Sequence, residues 1–276
     1  MKTLQIRPLM QKFGIKPKKS LGQNFLVEAA GLNKVLEAAA LQPEDQVLEI
    51  GPGLGSLTYL LAQSVREVIA VEIDQQLIAP LQEAVEAYPQ VKIVLGDILQ
   101  QDPASLGLQE GYLVVANIPY YISSAILRHL LTAEKKPKRM VLTVQKEVAE
   151  RVCARDGKQS LLSLSVQVFG KPSLAGIIPA GSFYPAPDVD SAVLGIALLQ
   201  EPTIAQEDLD LFFSLAKAGF SQKRKTLRNS LAGGLGLKQE AVENLLNEAR
   251  IDLQRRAETL TLEEWARLVQ ALKEKP

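Results

Sequence analysis

The chain of 276 residues has one cysteine, Cys153, one histidine, His129, and one tryptophan. A lone thiol cannot close an internal disulfide, and a single imidazole makes no zinc-type cluster, so no metal is expected. A Ser-His-Asp relay would rest on His129 alone, which sits in an apolar, helix-like run where packing is its expected task. No run reaches the roughly 18 consecutive apolar residues of a membrane-spanning helix, and the start lacks a signal-peptide core, so a cytoplasmic protein without membrane partners is expected. Excess charge is missing too: 31 Lys and Arg offset 31 Asp and Glu. That excludes a uniformly basic nucleic-acid protein. What remains is 47% hydrophobic and 22% charged, a globular composition long enough for one large domain, or a large and a small one.

The balance hides blocks. Lys2, Arg7, Lys12, Lys16, Lys18 and Lys19 stand in residues 1–27 without an acid, a local +6. Residues 41–117 hold eleven acids against Arg66 and Lys92, a local −9. Ten bases then face four acids over 118–171, and Lys217, Lys223, Arg224, Lys225 and Arg228 stand in 216–230 without an acid. Such asymmetry points to a polyanion held against selected faces, or to solvated charge that happens to cluster. Met1 to Lys16, basic and acid-free, also fits a short organellar address.

Strand and helix patterns alternate, the mark of an α/β protein with a parallel sheet covered on both sides. Strands are expected at Val47 to Ile50, Val68 to Val71, Val91 to Leu95, Tyr112 to Ala116 and Met140 to Val144, with helices at Leu57 to Gln63, Gln75 to Ala87 and Ser123 to Leu131. Four prolines between Lys171 and Val189 make that stretch looped or edge-like, before a last strand at Ala192 to Leu199. Beyond Glu201-Pro202 the pattern is helical, so a boundary near 200 is expected. It divides a domain of residues 1–200, with a basic opening segment of 1–20, from a small helical one of 201–276.

Glu49-Ile50-Gly51-Pro52-Gly53-Leu54-Gly55 follows a strand and precedes a helix, where glycines let a ligand approach the main chain and the positive helix end. Gly51 and Gly53 are its candidate contacts. A dinucleotide loop looks similar, although here the third glycine falls one residue early. The next strand ends at Glu72, placed to accept from both hydroxyls of a ribose, and the third ends in Gly96-Asp97, placed for an adenine amine. Either acid alone also reads as an N-cap. The fourth strand ends in Asn117-Ile118-Pro119-Tyr120. A purine's exocyclic nitrogen is a poor nucleophile because its lone pair is delocalised. The Asn117 oxygen and the Ile118 carbonyl, both aimed at its hydrogens, would free that pair. Pro119 favours an extended Ile118, and Tyr120 offers a face for the base. No strong base is needed when the methyl donor is S-adenosylmethionine, so the protein's share is alignment and electrostatics.

Further motifs join these. Lys18-Lys19-Ser20-Leu21-Gly22-Gln23-Asn24-Phe25-Leu26 precedes the glycine loop, and Phe183-Tyr184-Pro185-Ala186-Pro187-Asp188-Val189-Asp190-Ser191 follows the tetrapeptide. Phe220 to Asn229 and Arg256 to Leu260 lie in the helical part. Together, over about 11–270, the chain resembles the ribosomal RNA adenine N6-dimethyltransferase family, and most nearly its bacterial small-subunit branch. It has Ile118 where many members have Leu, and Asp188 where Lys is common, which removes a positive charge near the target site.

The resemblance implies a Rossmann-like seven-strand methyltransferase sheet with a small all-α C-terminal domain. It implies dimethylation of two adjacent adenosines in a hairpin near the 3′ end of small-subunit (16S) rRNA, within the 30S particle and with a role in late subunit biogenesis. By the same match Asn24, Leu26, Gly51, Gly53, Glu72, Asp97 and Asn117 would contact S-adenosylmethionine, and Phe183 would close the base pocket opposite Tyr120, unless it is a hydrophobic plug. Lys223, Arg224, Lys225 and Arg228, expected on one exposed helix, would dock RNA phosphates. A monomer suffices. Three other readings are a large-subunit (23S) rRNA adenine methyltransferase giving macrolide resistance, a non-catalytic small-subunit assembly factor and, more distantly, a nicotinamide-dependent dehydrogenase. Gly22 and the segments Lys223 to Thr226 and Arg256 to Leu260 favour the small-subunit branch.

Overall fold

The computed structural model describes residues 4–155 and 157–274; Lys2 of the basic opening segment lies outside them. In chain order the elements are α1 (Ile6–Phe13), β1 (Phe25–Leu26), α2 (Ala29–Ala39), β2 (Gln46–Ile50), α3 (Ser56–Ala62), β3 (Glu67–Glu72), α4 (Ile78–Ala84), β4 (Val91–Leu95), β5 (Leu113–Asn117), α5 (Ser123–Leu131), β6 (Arg139–Gln145) and α6 (Lys146–Val152). There follow α7 (Leu161–Gln167), β7 (Gly170–Ile178), β8 (Phe183–Tyr184), β9 (Ser191–Leu198), α8 (Leu209–Phe220), α9 (Leu227–Leu235), α10 (Gln239–Glu248) and α11 (Leu262–Lys273). Two compact units result: the described residues of Met1–Ala149 with Pro172–Leu198, and those of Glu150–Lys171 with Leu199–Pro276. Among the described residues no helix is long and apolar enough to cross a membrane.

The first unit is built on a seven-stranded sheet of order β4-β3-β2-β5-β6-β9-β7. Its inner strands β2, β5 and β6 are buried along almost their whole length and mostly apolar, as expected of parallel strands covered on both faces. The registers Val47↔Val68, Val47↔Leu113 and Asn117↔Thr143 are parallel, whereas Leu142↔Leu194 joins β6 to an antiparallel β9. The chain steps outward from β2 through β3 to β4, then returns to the far side of β2 with β5. That reversal opens a crevice at the carboxyl ends of β2 and β5. The stretch expected to be looped or edge-like begins with β7 on the sheet edge, where Pro172 leaves no ladder donor missing from an inner strand. The helix expected over 75–87 is instead a tight turn, Gln75–Leu77, followed by the shorter α4.

The second unit takes in 150–171, which the sequence reading counts with the first 200. The reason is local pairing. The Gln159 N–H donates to the Glu258 carbonyl at 3.0 Å and the Thr203 N–H to that of Val168 at 2.9 Å, while Phe169 stacks on Phe213. Trp265 of α11 is fully buried against Phe212 and Phe220 of α8. A reciprocal cap between Thr261 and Glu264 starts α11, and Arg255 pairs with Glu264. Helices α8 and α9 approach so closely that a Cβ on Gly234 would lie 2.6 Å from the Ala218 Cβ. Gly234→Ala should therefore push the helices apart and cost about 1–3 kcal/mol of stability. Urea unfolding measures it, and an unchanged midpoint would mean that the helices adjust freely.

Candidate active site

The glycine loop leaves β2 with Gly51 and Gly53 at φ +64° and +61°, a conformation in which side chains with a Cβ are strained. Space is limiting as well: a Cβ on Gly53 would meet the Phe25 ring at 2.9 Å. Glu72, ending β3, fixes two turns at once. Its Oε2 accepts from the Gly53 N–H at 3.0 Å and its Oε1 from the Asp74 N–H at 2.9 Å. Burial raises the Glu72 pKa above the ordinary carboxylate value, and these two donors pull it part of the way back. Glu49, one strand away in β2, is buried completely, and its pKa rises from 4.5 to about 8. Burial is the main cause, the Thr58 hydroxyl lowers it somewhat, and the neighbouring Glu72 adds to the rise.

A segment before β1 forms the facing wall. Asp74 receives the Lys18 Nζ on one oxygen and the Gln23 Nε2 on the other, both at 2.8 Å, and the Lys18 N–H donates to Gln23 Oε1 at 2.7 Å. Burial opposes ionisation of Asp74, yet these donors hold its pKa below the ordinary value. Between the two walls lies an open cleft with about 530 Å³ of empty space, part of it continuous with solvent. It is bordered by Leu21, Gly22, Gln23, Asn24 and Phe25 of the segment, by Gly51, Gly53, Glu72, Ile73 and Leu77, and by Asn117, Ile118, Pro119 and Tyr120.

Asn117 ends β5 with its amide held: Nδ2 donates to the Asn24 carbonyl at 2.9 Å. Among the described residues nothing donates to its Oδ1, which is left as an acceptor. Tyr120 opens the turn Tyr120–Ile122, and its hydroxyl lies 2.6 Å from Ser191 Oγ. Burial raises its pKa, against a smaller opposing effect of Ser191. The cleft therefore joins one buried carboxylate, a tightly turned glycine loop and an acceptor amide.

Of the residues singled out in the sequence, Asn24, Gly51, Gly53, Glu72, Asn117, Ile118, Pro119 and Tyr120 border this one cleft. The described lining does not include Asp97, Leu26 or Phe183. Asp97 caps the following turn, accepting from the Leu99 N–H at 3.0 Å. Leu26 and Phe183 are paired in register between β1 and β8 and packed into the hydrophobic core with Leu32, Leu60 and Ile178. Phe183 is buried in that core. Lys223, Arg224 and Lys225 are exposed, but in the turn between α8 and α9 rather than on one helix, because α8 ends at Phe220 and α9 starts only at Leu227. Arg228 lies on α9, paired with Glu243 at 2.8 Å. Sequence reasoning assigned no role to Glu49, Gln23, Asp74 or Ile73; for Asp74 the partners are 56 and 51 residues away, a distance that no local pattern encodes.

The family described as ribosomal RNA adenine dimethylase matches residues 14–274. The ribosomal RNA small subunit methyltransferase A of Dehalococcoides mccartyi is 48% identical over 273 residues, covering 99% of this chain and 94% of its own. Among solved structures, a dimethyladenosine transferase from Plasmodium falciparum superposes with a TM-score of 0.78 at 26% identity, over 91% of this chain and 98% of its own. The 23S rRNA methyltransferase ErmE superposes at 0.73 with 28% identity, over 91% and 100%.

Proposed function

The chain belongs to the ribosomal RNA adenine dimethylase family, and from that premise we propose that it adds two methyl groups to the N6 amine of each of two adjacent adenosines in a hairpin near the 3′ end of 16S rRNA. The substrate would be a 30S particle late in its assembly, met in the cytoplasm by a monomer. The observation that carries the reading is Asn117, its Nδ2 tied to Asn24 and its Oδ1 free, in one cleft with Glu72.

S-adenosylmethionine supplies a methyl group on a sulfonium, which is electrophilic without further activation. The cleft fits it in kind: Glu72 for ribose hydroxyls, the tight glycine turn at Gly51 and Gly53 for close main-chain approach, and apolar Ile73 and Leu77 beside them. Asn24 and the main chain of the facing wall complete the enclosure. At the other end Asn117 Oδ1 accepts an N–H of the target amine. The Ile118 carbonyl is the expected second acceptor, and Tyr120 supports the base. Together they draw the nitrogen toward a tetrahedral, nucleophilic geometry as it attacks. The amine's surplus proton is released to solvent after the new C–N bond forms, so no residue needs to be a strong base.

Incubating unmethylated small subunits with enzyme and labelled S-adenosylmethionine should yield dimethyladenosine in 16S rRNA on nucleoside analysis. Label in large-subunit rRNA instead would favour the macrolide-resistance reading, to which 28% identity against 48% gives less support. RNA docking is assigned to Lys223, Arg224 and Lys225, with Arg228 contributing less because Glu243 already holds it. Each phosphate contact contributes roughly 0.7–0.9 to the slope of log affinity against log salt. Replacing the three turn residues by alanine should flatten that slope by about 2, and an unaltered slope would remove them from the interface.

A further inference from the structure

Ser191, the first residue of β9, is wholly buried, yet its Oγ lies 2.6 Å from the hydroxyl of Tyr120. The residues that follow it, Ala192, Val193 and Leu194, are buried and apolar. A hydroxyl in such surroundings is costly unless it is paired, and the partner here is the one aromatic side chain of the tetrapeptide that borders the cleft. The two ends of this bond differ in rigidity. Ser191 is set in the β6–β9 ladder opposite Gln145, and the preceding Asp190 is fixed twice, its carbonyl accepting from the Lys146 N–H at 3.0 Å and its carboxylate from the Ala180 N–H at 2.9 Å. Tyr120 belongs to a single tight turn after Pro119, outside the sheet.

Rotamer preference leaves the plane of a tyrosine ring weakly defined. A bond to the hydroxyl fixes where the far end of the ring sits. Because phenolic hydrogen bonds lie near the ring plane, it also biases that plane. We propose that Ser191 is a positioning residue for methyl transfer, tethering Tyr120 so that its ring is already in place when the target adenine stacks on it. The inference rests on the reading of the cleft given above. Ser191 acts through Tyr120 and does not touch substrate.

Ser191→Ala should lower kcat on small subunits roughly tenfold or more, with S-adenosylmethionine affinity unchanged. Ser191→Thr, which keeps the hydroxyl, should restore kcat. In a Tyr120→Phe background, where no tether exists, Ser191→Ala should cause no further loss. Full kcat in Ser191→Ala, or an equal drop in both backgrounds, overturns the proposal. If Ser191→Ala does not fold, Tyr120→Phe alone removes the same bond from its other end, and parental kcat in that variant overturns it equally. A readout without RNA separates this from the functional reading: the ring of 13C-labelled Tyr120 should lose order in Ser191→Ala. A ring as ordered as the parent's refutes the tether, whereas a parent enzyme that forms no dimethyladenosine refutes the substrate assignment.

Discussion

Asn117→Ala is expected to cut methyl transfer to unmethylated small subunits by roughly 10²–10³, with a far smaller change in S-adenosylmethionine affinity. The asymmetry follows from the two ends of the amide. Nδ2 makes one ordinary bond to the Asn24 carbonyl at 2.9 Å, worth about 1 kcal/mol net, so its loss loosens the facing wall only slightly. Oδ1 has its use in the reaction itself, accepting from an amine whose N–H bonds become more acidic as the nitrogen takes on positive charge. An interaction that strengthens toward the transition state acts on kcat rather than on ground-state binding. Asn117→Asp, similar in shape, should be as inactive, since a carboxylate cannot donate to Asn24 and meets that carbonyl with repulsion. Subunit binding should survive in both variants, which separates chemistry from any role in assembly. Transfer by Asn117→Ala within tenfold of the parent would remove Asn117 from the reaction.

Glu49→Gln should make the protein more stable at alkaline pH. The carboxyl is buried and its pKa stands at about 8 against an ordinary 4.5, so the folded chain keeps a proton that the unfolded chain gives up. For an acid shifted upward, stability is fully present below the unfolded value of 4.5 and is drained as pH rises through the folded value of about 8. The slope is about 1.4 kcal/mol per pH unit across that window. Glutamine does not titrate there, so the variant should resist the decline and exceed the parent above pH 8 by a few kcal/mol at most. The flattening is partial, because burial also raises Glu72 and that residue acts in the same direction. Urea unfolding at pH 6 and pH 9 measures the difference. Equal stabilities of parent and variant at both would mean that Glu49 is ionised in the fold.

The inner strands were legible because a strand buried on both faces is mostly apolar, as β2, β5 and β6 are, with Gln46, Glu49 and Thr143 as buried exceptions. Their parallel order also explains why motifs far apart in sequence meet: Gly51, Glu72 and Asn117 each follow or end a strand, and parallel strands bring those ends to one edge. What was not legible came from elements too short to show a period. In the two-residue strands β1 and β8, side chains alternate, so Phe25 borders the cleft while Leu26 enters the core, and Phe183, in register with Leu26, goes with it. A motif match places a residue in the chain but does not say which side of such a strand it occupies. The turn at Lys223 to Lys225 was mistaken for a helix face for a related reason: a basic run carries no signal of where α8 stops.

The wall contributed by residues 21–25 is fastened at its leading end through one carboxylate, Asp74, by two side-chain bonds, and no strand of the seven-stranded sheet belongs to it. Parting that fastening is a local event, far less costly than any rearrangement of the sheet. Beyond that clasp the wall is held by the Asn117 amide at Asn24 and by the short pairing of β1 with β8, so it can loosen at Lys18 and Gln23 while its far end stays in place.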